Sequence, residues 1–147
     1  MAHAKDCAPY TRRVHYYETD QMGIVHHSNY IRWFEEARTA YLDHHGASYA
    51  GVEAQGVQIP VVSVSCRYHT AVKFDQVIEI GVRLTDFNGV RAVFAYEIRP
   101  AGGGPLLAEG QSEHCFIDAQ SRTPQNLKKR LPDFYARMAL LCQEEQQ

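Results

Sequence analysis

From Val62 to Phe116, apolar and polar side chains alternate through four successive stretches, and this pattern constrains the fold more than any other feature of the chain. Val62, Val64, Cys66 and Tyr68 alternate with Ser63, Ser65, Arg67 and His69. Ile78, Ile80, Val82 and Leu84 alternate with Glu79, Gly81, Arg83 and Thr85. Ala92, Phe94, Tyr96 and Ile98 form a third such set, and Ala108, Gly110, Ser112, His114 and Phe116 a fourth. A period of two sends neighbouring side chains to opposite faces, so each stretch reads as a half-buried strand. The turns Asp86-Phe87-Asn88-Gly89 and Pro100 to Pro105, the latter with three glycines, are short enough for antiparallel hairpins.

A sheet with one apolar face needs a cover. The spacing predicts a helix from about Asn29 to His45, with Tyr30, Trp33, Phe34, Ala37, Ala40 and Tyr41 on one stripe. Ser28 is placed to cap it and Gly46 to end it. Arg32 with Glu36 and Glu35 with Arg38 stand at helical spacing for charge pairing. A short strand over residues 12–17, a turn over 18–27 and a short helix over 48–54 closed by Gly56 complete the first half. Asn126 to Cys142 reads as a terminal helix, with Pro132 marking its first turn. The class is therefore α+β: a long central helix wrapped by a curved, mainly antiparallel sheet of about five strands, plus a C-terminal helix. The 147 residues suit a single domain spanning 1–147, with an ordered core of about 10–142.

Charge removes several functions. Fifteen Lys and Arg against seventeen Asp and Glu leave a net charge of −2, without the basic footprint of a nucleic-acid binder. No apolar run reaches the length of a membrane span, and Met1 to Pro9 lack a signal-peptide apolar core. Cys7, Cys66, Cys115 and Cys142 are scattered, so reduced thiols in a cytoplasmic protein are expected, with Cys66 and Cys115 as small buried residues. Five of the eight histidines fall between His15 and His45. The pairs His26-His27 and His44-His45 point apart in regular structure and match no metal motif, so no metal is expected. Gly102-Gly103-Gly104 lacks a following Lys-Ser/Thr and reads as a hairpin tip.

The chemistry-bearing stretch runs Tyr16-Tyr17-Glu18-Thr19-Asp20-Gln21-Met22-Gly23-Ile24-Val25-His26-His27-Ser28-Asn29-Tyr30. A carboxylate, a glycine three residues on and then a helix start make a compact arrangement. The first amides of a helix are unpaired donors at the positive end of its dipole, suited to a developing oxyanion. Asp20 nearby could attack a carbonyl or activate water, which describes an acyl-transfer site. The rival reading makes Asp20 a loop residue in an Asx-turn.

The pattern Tyr-x-x-x-Asp-x-x-Gly-x-Val-x-His-x-Asn-Tyr, followed by Glu-x-Ala-Arg at Glu35 to Arg38, resembles the hot-dog-fold acyl-CoA thioesterases of the 4-hydroxybenzoyl-CoA thioesterase type. Within them it is most similar to the Tol–Pal-associated and long-chain acyl-CoA subgroup. The resemblance implies a hot-dog fold and hydrolysis of an acyl-CoA to a carboxylic acid and CoA. It implies Asp20 as nucleophile or general base, and His27 as the carbonyl-polarising group through its backbone N–H, with its side chain helping to orient water or substrate. Tyr16 stands where such enzymes often carry a tyrosine. Gly23, Val25, Asn29, Trp33 and Phe34 would shape the substrate site. No cofactor is implied beyond CoA as part of the substrate. The active site is implied to lie at the subunit interface of a homodimer or homotetramer. A second branch of the family places its carboxylate on the central helix, for which Glu35 and Glu36 are the candidates here. CoA phosphates could meet Arg67, Lys73, Arg91 or Lys128-Lys129-Arg130. The rivals to hydrolysis are a hydratase or dehydratase on the same fold and a non-catalytic acyl-CoA-binding dimer.

Overall fold

A computed structural model describes residues 7–147. Residues 1–6, which carry most of the expectation about an N-terminal leader, lie outside the described residues. In chain order the elements are β1 (Tyr10–Arg13), a 3-10 turn (Tyr16–Glu18), α1 (Ser28–His44), α2 (Tyr49–Ala54), β2 (Val57–Gln58), β3 (Val61–Tyr68) and β4 (Val77–Phe87). Then follow β5 (Arg91–Pro100), β6 (Ala108–Cys115), β7 (Ile117–Asp118), α3 (Leu127–Arg130) and α4 (Pro132–Glu145). Five strands form one antiparallel sheet in the order β1-β4-β5-β6-β3, and β2 pairs with β7 alone.

The helix α1 lays its stripe on this sheet. Tyr30, Trp33, Phe34, Ala37 and Tyr41 are buried against Ile78, Ile80, Leu84, Phe94, Tyr96 and Ile98. The Phe34 ring stacks on Tyr96 with centroids 4.3 Å apart. That approach requires a bare backbone at Gly110, where a Cβ would lie 2.7 Å from the Phe34 ring and against the Ser65 carbonyl. The helix α4 buries Met138, Leu141 and Cys142, and Tyr135 meets Phe87 at 5.4 Å. Tyr41 ties three elements together: its hydroxyl donates to Glu145 of α4 at 2.6 Å and accepts from the Leu84 N–H of β4 at 3.3 Å.

Several expectations need correction. The first strand ends at Arg13, and Tyr16–Glu18 curl into a 3-10 turn because Glu18 folds back to accept the His15 N–H at 2.8 Å. His27, not Ser28, is the N-cap of α1, and the Ser28 hydroxyl instead bonds His26 Nδ1 at 2.8 Å. The charge pairs on α1 go elsewhere. Glu36 meets Arg12 at 3.1 Å and accepts from the Tyr10 hydroxyl, while Arg38 turns inward. Only 5% exposed, Arg38 donates to the Tyr49 and Tyr96 hydroxyls, and a chain of hydroxyls runs on through Ser112 to His114. The terminal helix is two pieces, α3 and α4, divided where Pro132 starts the second. Cys66 and Cys115 are half-buried rather than buried, and all four thiols are free.

Strand β3 departs most from the alternation. Val61, Val62, Val64 and Tyr68 are 41–57% exposed, so neither face is covered. It is an edge strand, paired on one side with β6 through a bulge at Val61/Ser63. The apolar stripe of α1 sits on the central strands and leaves this edge bare. No helix among the described residues is long and apolar enough to cross a membrane.

Candidate active site

Asp20 sits at the tip of a tight loop between the 3-10 turn and α1. Thr19 bridges Val25, the Asp20 N–H donates to the Ile24 carbonyl at 2.8 Å, and the Gly23 N–H returns to the Asp20 carbonyl at 3.0 Å. Gly23 holds φ at +78°, a conformation glycine adopts without strain. Ile24 then bridges Lys73, and the Val25 N–H donates to the Val72 carbonyl, so the loop is fastened to the chain ahead of β4. One carboxylate oxygen of Asp20 accepts the Met22 N–H at 2.8 Å. This is the Asx-turn of the rival reading, and it fixes the carboxylate while leaving Oδ2 without a partner among the described residues.

The loop hangs from a residue that motif reading passed over. Glu18 is 3% exposed. Its carboxylate accepts from Arg12 at 2.7 and 2.8 Å, from Trp33 Nε1 at 2.7 Å and from the His15 N–H at 2.8 Å. Its carbonyl accepts from the Asn29 side-chain amide and the His26 N–H, both at 2.8 Å. Burial pushes the Glu18 carboxyl up, but the hydrogen bonds and charge of its partners outweigh it and hold the carboxyl below its ordinary value. Glu18 thereby locks both ends of the Asp20 loop. Its sequence signal was present, since a Glu two residues before Asp20 with Arg12 upstream is a candidate ion pair, but only folding shows it buried.

At the start of α1 the orphan amides are partly spoken for. The Ser28 N–H donates to His26 Nδ1 and the Asn29 N–H to the His26 carbonyl. The His27 N–H has no partner among the described residues. The His27 carbonyl, which belongs to the next peptide unit, accepts from the Tyr68 hydroxyl at 3.0 Å. Tyr68, on the exposed edge of β3, is the second residue that sequence reasoning missed. Burial first, and then the Cys66 thiol, push its hydroxyl up to about 12. The rings of His26 and His27 stack at 4.2 Å on the surface.

The other predicted residues divide into two groups. Tyr16 is 76% exposed and packs edge-on against Phe74 at 5.5 Å; with Tyr17 and Met22 it makes an exposed apolar rim beside the loop. Val25, Asn29, Trp33 and Phe34 are buried within the chain. Trp33 and Asn29 serve the Glu18 anchor and Phe34 the sheet contact. Glu35 and Glu36 lie further along α1, Glu36 engaged by Arg12 and Tyr10. Arg130 binds Asp118 at 2.9 Å and Arg91 pairs with Asp86 and Glu113, so neither is a ready phosphate contact. A concavity of about 1050 Å³ opens at the far end of α1, lined by Tyr10, Ala40, Tyr41 and His44 among others, and does not include Asp20.

Known proteins share this architecture. Residues 14–138 match the thioesterase-like superfamily, which shows that the chain belongs to it. The chain is a thioester hydrolase with the hot-dog fold. It is 37% identical over 123 residues to YneP of Bacillus subtilis, covering 83% of this chain and 88% of that one. To the acyl-CoA thioester hydrolase YbgC of Escherichia coli it is 31% identical over 119 residues, covering 81% and 88%. The crystal structure of a DHNA-CoA thioesterase from Staphylococcus aureus superposes with a TM-score of 0.84 at 30% identity, over 88% of this chain and 87% of that one.

Proposed function

We propose that this protein hydrolyses acyl-CoA thioesters to a free carboxylic acid and CoA, with Asp20 as its reactive carboxylate. The reading is carried by the loop that leads into α1, which holds a fixed Asp20 carboxylate with one unengaged oxygen and ends at the His27 N–H, without a partner among the described residues. A thioester carbonyl accepting from the His27 N–H gains a hydrogen bond as its oxygen becomes negative. Asp20 Oδ2 then takes the proton of a water whose oxygen attacks the carbonyl carbon. The tetrahedral intermediate collapses with cleavage of the C–S bond, and the CoA sulfur leaves with that proton. In the nucleophilic variant Oδ2 attacks the carbonyl carbon, the C–S bond breaks and CoA leaves as the thiolate; water then cleaves the resulting anhydride, and its proton neutralises the thiolate. Tyr68 holds His27 through its carbonyl, and Glu18 positions the loop.

The reading extends to partners and setting. The bare edge of β3 and the rim of Tyr16, Tyr17, Met22 and Phe74 are surfaces for a second copy of this chain, which would close the site in a homodimer or homotetramer. The reaction requires no cofactor and is assigned to the cytoplasm. The opening motif supports placement with the Tol–Pal-associated and long-chain acyl-CoA thioesterases. The test is thiol release from a chain-length panel of acyl-CoAs, followed with an arylthiol-forming reagent. Asp20→Asn should lower kcat by roughly 10²–10⁴-fold with little change in KM. Release from no member of the panel refutes the activity; full activity in Asp20→Asn refutes the assignment of Asp20.

A further inference from the structure

Cys7, His44 and His45 are remote in sequence terms from any metal motif, yet their donor atoms, one sulfur and two imidazole nitrogens, all lie within 4.8 Å of one another. Adjacent residues diverge by about 100° around a regular helix, which is why the histidine pair carried no metal signal. The helix ends between them: His44 is its last residue, and His45 leaves it with ψ near 8°. The two rings therefore stand at right angles with centroids 4.9 Å apart. The chain entering β1 brings Cys7 to the same place.

We propose that Cys7, His44 and His45 bind one borderline-soft divalent cation, of which Zn²⁺ is the representative. Thiolate and imidazole are the donors such an ion selects over oxygen. Zn–S of about 2.3 Å and Zn–N of about 2.0–2.1 Å in a tetrahedron put donors roughly 3.5 Å apart, so no pair has to close by more than about 1.3 Å. A carboxylate, Glu145, and a guanidinium, Arg137 on the His45 and Gly46 carbonyls, both lie near the cluster. Glu145 ends α4 at this same corner of the fold. Its carboxylate is held by the Tyr41 hydroxyl at 2.6 Å, and the Tyr41 ring packs edge-on to His45 at 4.7 Å. On binding, the S–H bond breaks, an S–metal bond forms and the proton passes to water. Cys7 and His44 also line the concavity of about 1050 Å³, which gives the ion an entry path and leaves a coordination position facing it. Because α1 spans 17 residues, the cluster sits about 25 Å from the His27 end. It therefore acts on the fold, clamping the segment before β1 to the end of α1, and is separate from the Asp20 chemistry.

The experiment titrates the full-length, reduced, chelator-treated chain with Zn²⁺ against a chromogenic competitor, and separately with Co²⁺. The expected result is one ion per chain, with a thiolate-to-cobalt charge-transfer band and the intense visible bands of a four-coordinate site. Cys7→Ser should abolish the charge-transfer band, and both Cys7→Ser and His44→Ala should weaken Zn²⁺ binding by at least about tenfold. Circular dichroism of each metal-free variant should match that of the metal-free parent, which separates ligand loss from misfolding. Asp20→Asn should bind Zn²⁺ as the parent does. Absence of stoichiometric binding overturns the proposal, as does a Cys7→Ser chain with unchanged affinity and cobalt spectrum, or a site lost with Asp20.

Discussion

Replacing Glu18 tests the link between the core and the reactive loop. Glu18→Gln keeps the volume and one acceptor for the Trp33 N–H but removes the charge that Arg12 faces. Arg12 is nearly as buried, its side chain 9% exposed against 4% for Glu18, so its guanidinium would be left with Glu36 alone, 3.1 Å away and 38% exposed. Breaking a buried ion pair from one side costs about 3–5 kcal/mol, and the remaining contact to Glu36 places this case at about 3. Glu18→Ala adds the orphaned Trp33 and His15 N–H groups at about 1–3 kcal/mol each, enough to consume much of the stability of a domain this size. The assay is equilibrium urea unfolding of both variants at pH 7, with thioesterase kcat/KM measured in the absence of urea. The Asp20 loop hangs from the Glu18 carbonyl as well as the side chain, so the Gln variant should keep its fold and lose kcat through a loosened carboxylate. A Glu18→Gln protein within about 0.5 kcal/mol of the parent, with unchanged kcat, would refute the reasoning.

Three further outcomes follow. His114 is fully buried, and burial first, then the charge of Arg38, lowers its pKa to about 4. Below about pH 6.5 the unfolded chain takes up a proton that the folded chain refuses, so its contribution is complete above that pH. About 3 kcal/mol should be lost by pH 4, and His114→Gln should flatten that part of a stability–pH curve from denaturant titrations. Gly110→Ala pushes a methyl into Phe34 and the Ser65 carbonyl and should cost about 1–3 kcal/mol in thermal or urea unfolding; a smaller loss would mean that the strand contact yields. Val64→Lys places a charge on the exposed β3 edge and should reduce the mass seen by light scattering to that of a smaller species, whereas an unchanged mass would exclude this edge as the subunit contact.

The architecture was largely legible because it depends on periodicities that any core must satisfy. Strands β4, β5 and β6 carry their alternation through to alternating burial, and α1 buries the stripe that its spacing defines except for Ala40, which is half-buried. The Asp20 loop was legible too, since Gly23 and the Asp side chain make their turn from local bonds alone. What failed did so where the outcome depends on distant partners. Glu36 and Arg38 look like neighbours' partners along one helix, yet Arg12, Tyr49 and Tyr96 reach them first across the fold.

The residue pattern by itself therefore settled the long helix, the central strands β4, β5 and β6 and their inward faces, because these follow from short-range geometry and solvent aversion. Tertiary structure alone decided that Glu18 rather than a motif residue anchors the loop, that β3 is left bare, and that Cys7 meets two histidines at the end of α1. Each of these depends on which surfaces the long-range packing happens to cover, and no spacing along the chain encodes that.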